Sequence, residues 1–178
     1  ATLTPEAISI PSKPGDEFEI ALKNKQLHRN FQGYCTRETT GQVYAFGASS
    51  ISQLDSAYSQ NFKNAAKYIT EIEKNNLAVY RGYSVNKEQK IVRDVINSIM
   101  CNYYLDIEEI ASINNCNRQE VIRIIDFDSK KFEDFIFDGL LKIEKFKLSV
   151  FEKGRLFTRN IAMRFDPLIN QKIGTYSN

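Results

Sequence analysis

The chain has 178 residues, 42% hydrophobic and 26% charged, an ordinary globular balance long enough for one good core or two small ones. Twenty-four basic against 22 acidic residues leave a net charge of +2, so no global field draws the protein to nucleic acid or to an anionic membrane. Apolar runs fall far short of the roughly 20 residues a membrane helix needs, and no basic-then-apolar secretory pattern opens the chain, so it reads as cytoplasmic. Cys35, Cys101 and Cys116 have no metal-ligand spacing and are odd in number, which argues for free thiols over a disulfide scaffold.

In chain order, Pro5, Pro11 and Pro14 keep the first residues extended or turned. Asp16 to Lys25 begins acidic and ends basic, which suits a helix macrodipole and predicts a short helix. His28 to Ser52 is the least ordinary stretch. Phe31 and Gln32 precede Gly33 and offer a stacking face beside an amide. Val43 to Phe46 followed by Gly47, Ala48, Ser49 and Ser50 predicts a strand opening into a loop that a ligand can approach closely. Phe62, Ala65, Ala66, Ile69 and Ile72 then recur at spacings of three and four, predicting an amphipathic helix capped by Asn61 and stopped at Asn75 and Asn76. Strand, loop and helix together read as a βα unit that cannot stand alone, because its edges and one face would be left uncovered.

From Leu77 onward the pattern turns to capped helices. Asn86 with Gln89 opens a helix whose stripe of Ile91, Val92, Val95, Ile96, Ile99, Met100 and Tyr103 holds for more than three turns. Asp106 with Glu109 and Asn117 with Glu120 repeat the capping-box spacing before two further short helices. Another helix is expected from about Asp128 to Phe137, ended by Gly139. Leu141 to Glu144 and Lys147 to Val150 alternate with period two and read as a hairpin turning at Lys145-Phe146. A last helix from Lys153 to Phe165 is stopped by Pro167. Three helices, a hairpin and a helix make a winged-helix-like plan. The fold class expected is α+β, mostly helical, with a boundary near 77: residues 1–77 in one part and 78–178 in the other.

Asn30-Phe31-Gln32-Gly33-Tyr34 with the following Gly47-x-Ser49-x-Ile51-Ser52 resembles the oxygen-independent coproporphyrinogen III oxidases, radical S-adenosylmethionine enzymes of haem biosynthesis. Arg81-Gly82, Ile91 to Ile96, Cys101 to Asp106 and Gly154 to Met163 read like the C-terminal half of that family in the same order, so the resemblance covers Lys13 to Asp166. Ser9-Ile10 stands where the family usually carries Asp-His. The resemblance implies that residues 1–77 are the closing βα part of a radical-SAM barrel and 78–178 a helical module with a hairpin. It implies that Phe31, Gln32 and Ile51 line a S-adenosylmethionine site, the residue types alone being equally those of a packed strand end with a buried glutamine. The family holds its 4Fe-4S cluster with a Cys-x3-Cys-x2-Cys triplet that this sequence lacks, so the chain reads as a fragment that by itself binds no cofactor and has no activity. The longer protein is expected to be a monomer that uses the cluster and S-adenosylmethionine to decarboxylate coproporphyrinogen III oxidatively to protoporphyrinogen IX. The missing N-terminal barrel is this chain's expected partner.

His28 is the only histidine, which excludes a Ser-His-Asp triad or a His-rich metal site. Arg29, Arg37, Arg81, Arg155 and Arg159 have the chemistry to grip carboxylates in pairs of hydrogen bonds, though each singly is also an ordinary surface arginine. Gly154-Arg155 itself reads as a turn and helix start. Asp126, Asp128, Glu133, Asp134 and Asp138 read as a solvated face, and Phe127, Phe132, Phe135, Phe137, Phe146 and Phe151 as core. A competing reading is a winged-helix module that binds nucleic acid or protein. Near-neutral charge and the acidic Asp126 to Asp138 stretch oppose it, and neither nucleic acid nor a membrane is an expected partner.

Overall fold

The computed structural model describes residues 15–30, 33–36, 42–167 and 169. Among them are seven α-helices and eight short strands in an α+β arrangement, grouped into two compact units: residues 28–86, and residues 1–27 together with 87–178. The division at 77 expected from the change of pattern falls elsewhere here, because Val79–Ser84 is a strand of the preceding sheet.

In the first unit, strands β1 (Leu27–Arg29) and β2 (Tyr34–Thr36) pair with each other. Strands β3 (Ile51–Gln53), β4 (Ala57–Asn61) and β5 (Val79–Ser84) form an antiparallel sheet in the order β3-β4-β5, with helix α2 (Ala65–Asn75) between β4 and β5. Val43 to Phe46 is not the strand its apolar run suggests. Only Val43 bridges, to Gln53, because Gly47 (φ 99°) and Ser49 (φ 65°) turn the chain back at once. The sheet is therefore an antiparallel meander with a helix in its last connection, not a parallel βα step. Helix α2 starts later than Asn61, which lies in β4; the cap is Asn64, whose side chain accepts from Lys67 N–H. No α2 residue is buried, and Ile69, Leu77, Val79, Tyr80 and Tyr83 are all exposed. Among the described residues no layer covers this amphipathic stripe and sheet face.

The second unit has a main core and a smaller buried cluster beside it. Helix α1 (Glu17–Lys23) is capped by the Asp16 carboxylate on Phe18 N–H. Helix α3 (Lys87–Asn102) supplies Ile91, Val95 and Ile99, four apart and fully buried, with Val92, Ile96, Met100 and Tyr103 packed at the margin. Its opposite side is also buried, which the stripe alone does not announce. Cys101 packs with Ala21 and Leu27, and the Asn102 amide spans Leu27 like a β-partner: its Nδ2 donates to Leu27 O and its Oδ1 accepts from Leu27 N–H, both at 3.0 Å.

Strand β6 (Tyr104–Asp106), absent from the expected elements, joins the hairpin of β7 (Leu141–Glu144) and β8 (Lys147–Val150) in the order β6-β8-β7. Helices α4 (Ile107–Ile113) and α5 (Arg118–Ile124) begin at the expected caps, Asp106 accepting from Glu108 N–H and Asn117 from Glu120 N–H. The single helix expected from Asp128 splits into a 3-10 turn (Ser129–Phe132) and helix α6 (Glu133–Phe137). That turn buries Phe132 against Phe165, ring centroids 5.0 Å apart, and leaves Phe137 92% exposed. Phe137 and Phe151 are thus surface residues, while Phe127, Phe135 and Phe146 pack on the core as expected. The last helix is likewise a 3-10 stretch (Glu152–Phe157) running into α7 (Thr158–Met163).

Asp106 does two jobs, capping α4 and pairing with Lys147 (2.7 Å) across β6 and β8. Burial pushes its carboxyl up, but the Lys147 ammonium and the Glu108 and Glu109 N–H groups outweigh this and hold it below the usual carboxylate range. A depressed carboxyl contributes stability that is complete above its unfolded pKa of about 3.9 and is lost as pH falls through the lower folded value. Asp106→Ala is expected to cost about 1–2 kcal/mol at pH 7, mostly through the cap. The gap in melting temperature between the two proteins should narrow steadily below about pH 4; a gap independent of pH would show that the carboxylate's charge contributes nothing.

Candidate functional site

Of the three residues expected to line a cofactor site, Phe31 and Gln32 lie outside the described residues, and Ile51 opens β3 half-buried, opposite Gln60. On either side of the first two, Asn30 and Gly33 exchange backbone hydrogen bonds (Asn30 N to Gly33 O, 2.9 Å; Gly33 N to Asn30 O, 3.3 Å). Gly33 N–H also reaches the Asn30 side-chain oxygen at 3.2 Å. Asn30 and Gly33 are thereby tied together in the short link between β1 and β2.

The small-residue loop ahead of Ile51 is held by side chains whose role sequence spacing does not announce. Asn61 sends its amide nitrogen to the carbonyls of Ala45 (3.4 Å) and Gly47 (3.0 Å) and to Ser50 Oγ (3.1 Å). Ser50 donates to Gly47 O (2.7 Å), Gly47 N–H donates to the Tyr68 hydroxyl (3.1 Å), and Ala45 N–H donates to Ser52 Oγ (3.0 Å). Main-chain bonds from Ser49 N to Phe62 O and from Asn61 N to Ser50 O close the loop against the start of α2's connection. Sequence reasoning took Asn61 for a helix cap and passed over Tyr68. Only their long-range bonds, to loop atoms 11 to 21 residues away, mark them as the loop's fasteners. The outcome is a rigid glycine- and serine-rich turn with little side-chain bulk, geometry that lets a ligand approach backbone.

Other candidates separate. His28 is half-buried in β1, and Arg29 lies over the Tyr34 ring at 5.6 Å. Arg37 lies outside the described residues. Arg81 Nε donates to Gln60 Oε1 at 2.9 Å. Arg155 sits over the Tyr103 ring at 4.7 Å, inside the 3-10 stretch and not at a helix start. Cys35, Cys101 and Cys116 form no disulfide among the described residues, and among those residues no three His, Cys, Asp or Glu side chains converge to hold a metal ion. Burial, and secondarily the charge of Glu120, pushes the Cys116 thiol up, away from the thiolate a metal or nucleophile needs.

Helix α5, where a groove-reading helix would need free cations, spends them internally. Arg118 pairs with Glu108 (2.7 Å) and Arg123 with Glu88 (2.9 Å), while Lys87 reaches Glu120 (2.9 Å). Such exposed pairs contribute at most about 1 kcal/mol each, but they cancel the positive field that phosphate binding requires. Among the described residues no helix is long and apolar enough to cross a membrane.

No family model matches the chain. It is 35% identical over 164 residues to the oxygen-independent coproporphyrinogen III oxidase of Escherichia coli, which covers 90% of this chain and 34% of that protein. The like-named protein of Thermostichus vulcanus is 35% identical over 170 residues, covering 92% of this chain and 49% of the relative, and that of Synechocystis is 32% identical over 164 residues. Among solved structures, Escherichia coli coproporphyrinogen III oxidase, described as a radical SAM enzyme, superposes with a TM-score of 0.76 at 33% identity, covering 88% of this chain and 35% of that one. The chain spans about a third to a half of the length of these relatives, and the part it resembles is their C-terminal part.

Proposed function

We propose that this chain is the C-terminal part of an oxygen-independent coproporphyrinogen III oxidase, a cytoplasmic, monomeric enzyme that decarboxylates coproporphyrinogen III oxidatively to protoporphyrinogen IX. The observation that carries this reading is the co-linear match over nine-tenths of the chain in both sequence and backbone. The uncovered α2 face and β5 strand support it physically, since a larger protein would supply the layer that this unit lacks. In that protein the helices, hairpin and α7 form a winged-helix-like module. Absent N-terminal residues are the partner of the exposed face.

The cluster does not fit the residues present here, whose cysteines are dispersed over both units, so its ligands are assigned to the N-terminal part. When bound, S-adenosylmethionine and the cluster supply the radical that attacks a propionate side chain. This chain's contribution is orientation: Gln32 fixes the cofactor through its amide, and Phe31 and Ile51 pack on its apolar parts. The test uses the longer protein, purified without oxygen. Gln32→Ala is expected to lower decarboxylation about 5- to 150-fold with cluster content unchanged, the loss of about 1–3 kcal/mol for a buried polar partner. Unaltered turnover and cofactor affinity would reduce Gln32 to a structural glutamine. A longer protein with no decarboxylase activity at all would overturn the reading itself.

A further inference from the structure

We propose that Arg155, with Arg159 one turn on, receives a carboxylate on the rim of the tetrapyrrole, a substrate-recognition role for the helical unit that rests on the reading above. Among the described residues of this unit, Arg118 and Arg123 pair with glutamates and Arg93 lies beside Asp94, whereas Arg164 lies over the Phe135 ring, 5.7 Å from its centroid. Arg155 has no acid partner either. Its Nε is buried without a hydrogen-bond partner, and its guanidinium lies 4.7 Å from the centroid of the Tyr103 ring. Glu152, one 3-10 turn earlier, makes no ion pair with it, and Arg159 has neither ion pair nor hydrogen bond among the described residues.

A guanidinium stacked on a ring keeps its N–H donors in one plane, the form in which it binds a carboxylate through two parallel bonds. Both supports of that plane are rigid. Tyr103 holds a left-handed backbone (φ 55°) that L side chains adopt sparingly, pinned by Tyr103 N to Ile99 O (3.0 Å) and Val150 N to Tyr103 O (2.8 Å). On the other side, Gly154 is pressed against Leu140 O, and the Arg155 carbonyl accepts from Thr158 Oγ1 at 2.7 Å. Arg159 and Met163 are four apart in α7, and Arg155 precedes them in the 3-10 stretch, flanked by the exposed Leu156 and Phe157. Unpaired guanidinium groups set among exposed apolar side chains complement a molecule with an apolar body and a carboxylate rim. Inorganic phosphate offers the charge without the body.

Coproporphyrin III, the stable aromatic form of the substrate, is the probe, and its fluorescence anisotropy on titration with this chain is the readout. Arg155→Gln is expected to weaken binding at least tenfold, Arg155→Lys less, and Arg159→Gln a few-fold, with thermal melts of all three close to wild type. Coproporphyrin tetramethyl ester should bind far more weakly than the free acid. Millimolar phosphate should compete only partly. No binding by the wild-type chain, equal affinity in Arg155→Gln and Arg159→Gln, or equal binding of acid and ester would overturn the proposal. Full displacement by millimolar phosphate would also overturn it, as the mark of a general anion site. If the longer protein decarboxylates normally while Arg155→Gln leaves its KM unchanged, this assignment fails and the enzyme reading stands.

Discussion

Ile99→Asp is expected to abolish the cooperative unfolding transition of the helical unit. Ile99 has no exposed surface and sits in line with Ile91 and Val95 on the helix that faces most of the core. A carboxylate there has no partner to receive it. It must either stay ionised in an apolar site or take up a proton, and either way the cost is several kcal/mol, comparable to the roughly 5–15 kcal/mol by which a domain is stable. Ile96→Asp, at the margin of the same core, should cost less because its carboxylate can turn toward water. Ile99→Val, which removes one methyl group, sets the lower bound at about 0.5–1.5 kcal/mol. Circular-dichroism melts of the three variants decide the matter. A cooperative transition for Ile99→Asp within a few degrees of wild type, or a larger loss for Ile96→Asp, would show that α3 packs by another face.

Gly154→Ala is the second large effect, and it acts through backbone. A Cβ at this position would lie 2.1 Å from the Leu140 carbonyl oxygen and 2.9 Å from both the Leu140 carbonyl carbon and Val150 Cγ1. Neither carbonyl atom belongs to a flexible side chain, so β7's entry and the 3-10 stretch must separate. That also strains the bond from Phe151 N to Leu140 O (2.8 Å). Overpacking of this kind costs typically about 1–3 kcal/mol, and contact with main chain places it at or above the top of that range. The melting temperature should drop by several degrees, and coproporphyrin binding should weaken with it, because Arg155 follows immediately. Ala tolerated without a shift in melting temperature would mean that the 3-10 stretch can slide away from β7.

Much of the helical unit is legible from local chemistry. Asp16, Asp106 and Asn117 are caps because a short acceptor side chain just before an apolar period meets the free N–H groups of a helix, a requirement settled within three or four residues. The Ile91-Val95-Ile99 stripe and the β7–β8 hairpin are equally local, fixed by periods of 3.6 and 2. Errors arise where a distant partner decides. Val43 to Phe46 has strand composition, yet strands exist by pairing, and the turn at Gly47 leaves Val43 alone with a neighbour. Tyr104–Asp106 is a strand because β8 lies beside it. Phe137 has the spacing of a core residue, but the 3-10 turn before α6 changes the phase and rotates it into solvent.

What the sequence by itself determined is the family resemblance, the α+β class, the caps at Asp106 and Asn117 and the stripe of the long helix, because each depends on residue types at short, fixed separations. Only the tertiary structure decided that Asn61 and Tyr68 fasten the glycine-serine loop, that the Asn102 amide spans Leu27 across 75 residues, and that Gly154 is crowded by Leu140 while Arg155 is left without an acid. These are hydrogen bonds, contacts and vacant donors between groups remote in sequence. No local propensity encodes them, since the free energy that selects each partner exists only once the chain has brought both together.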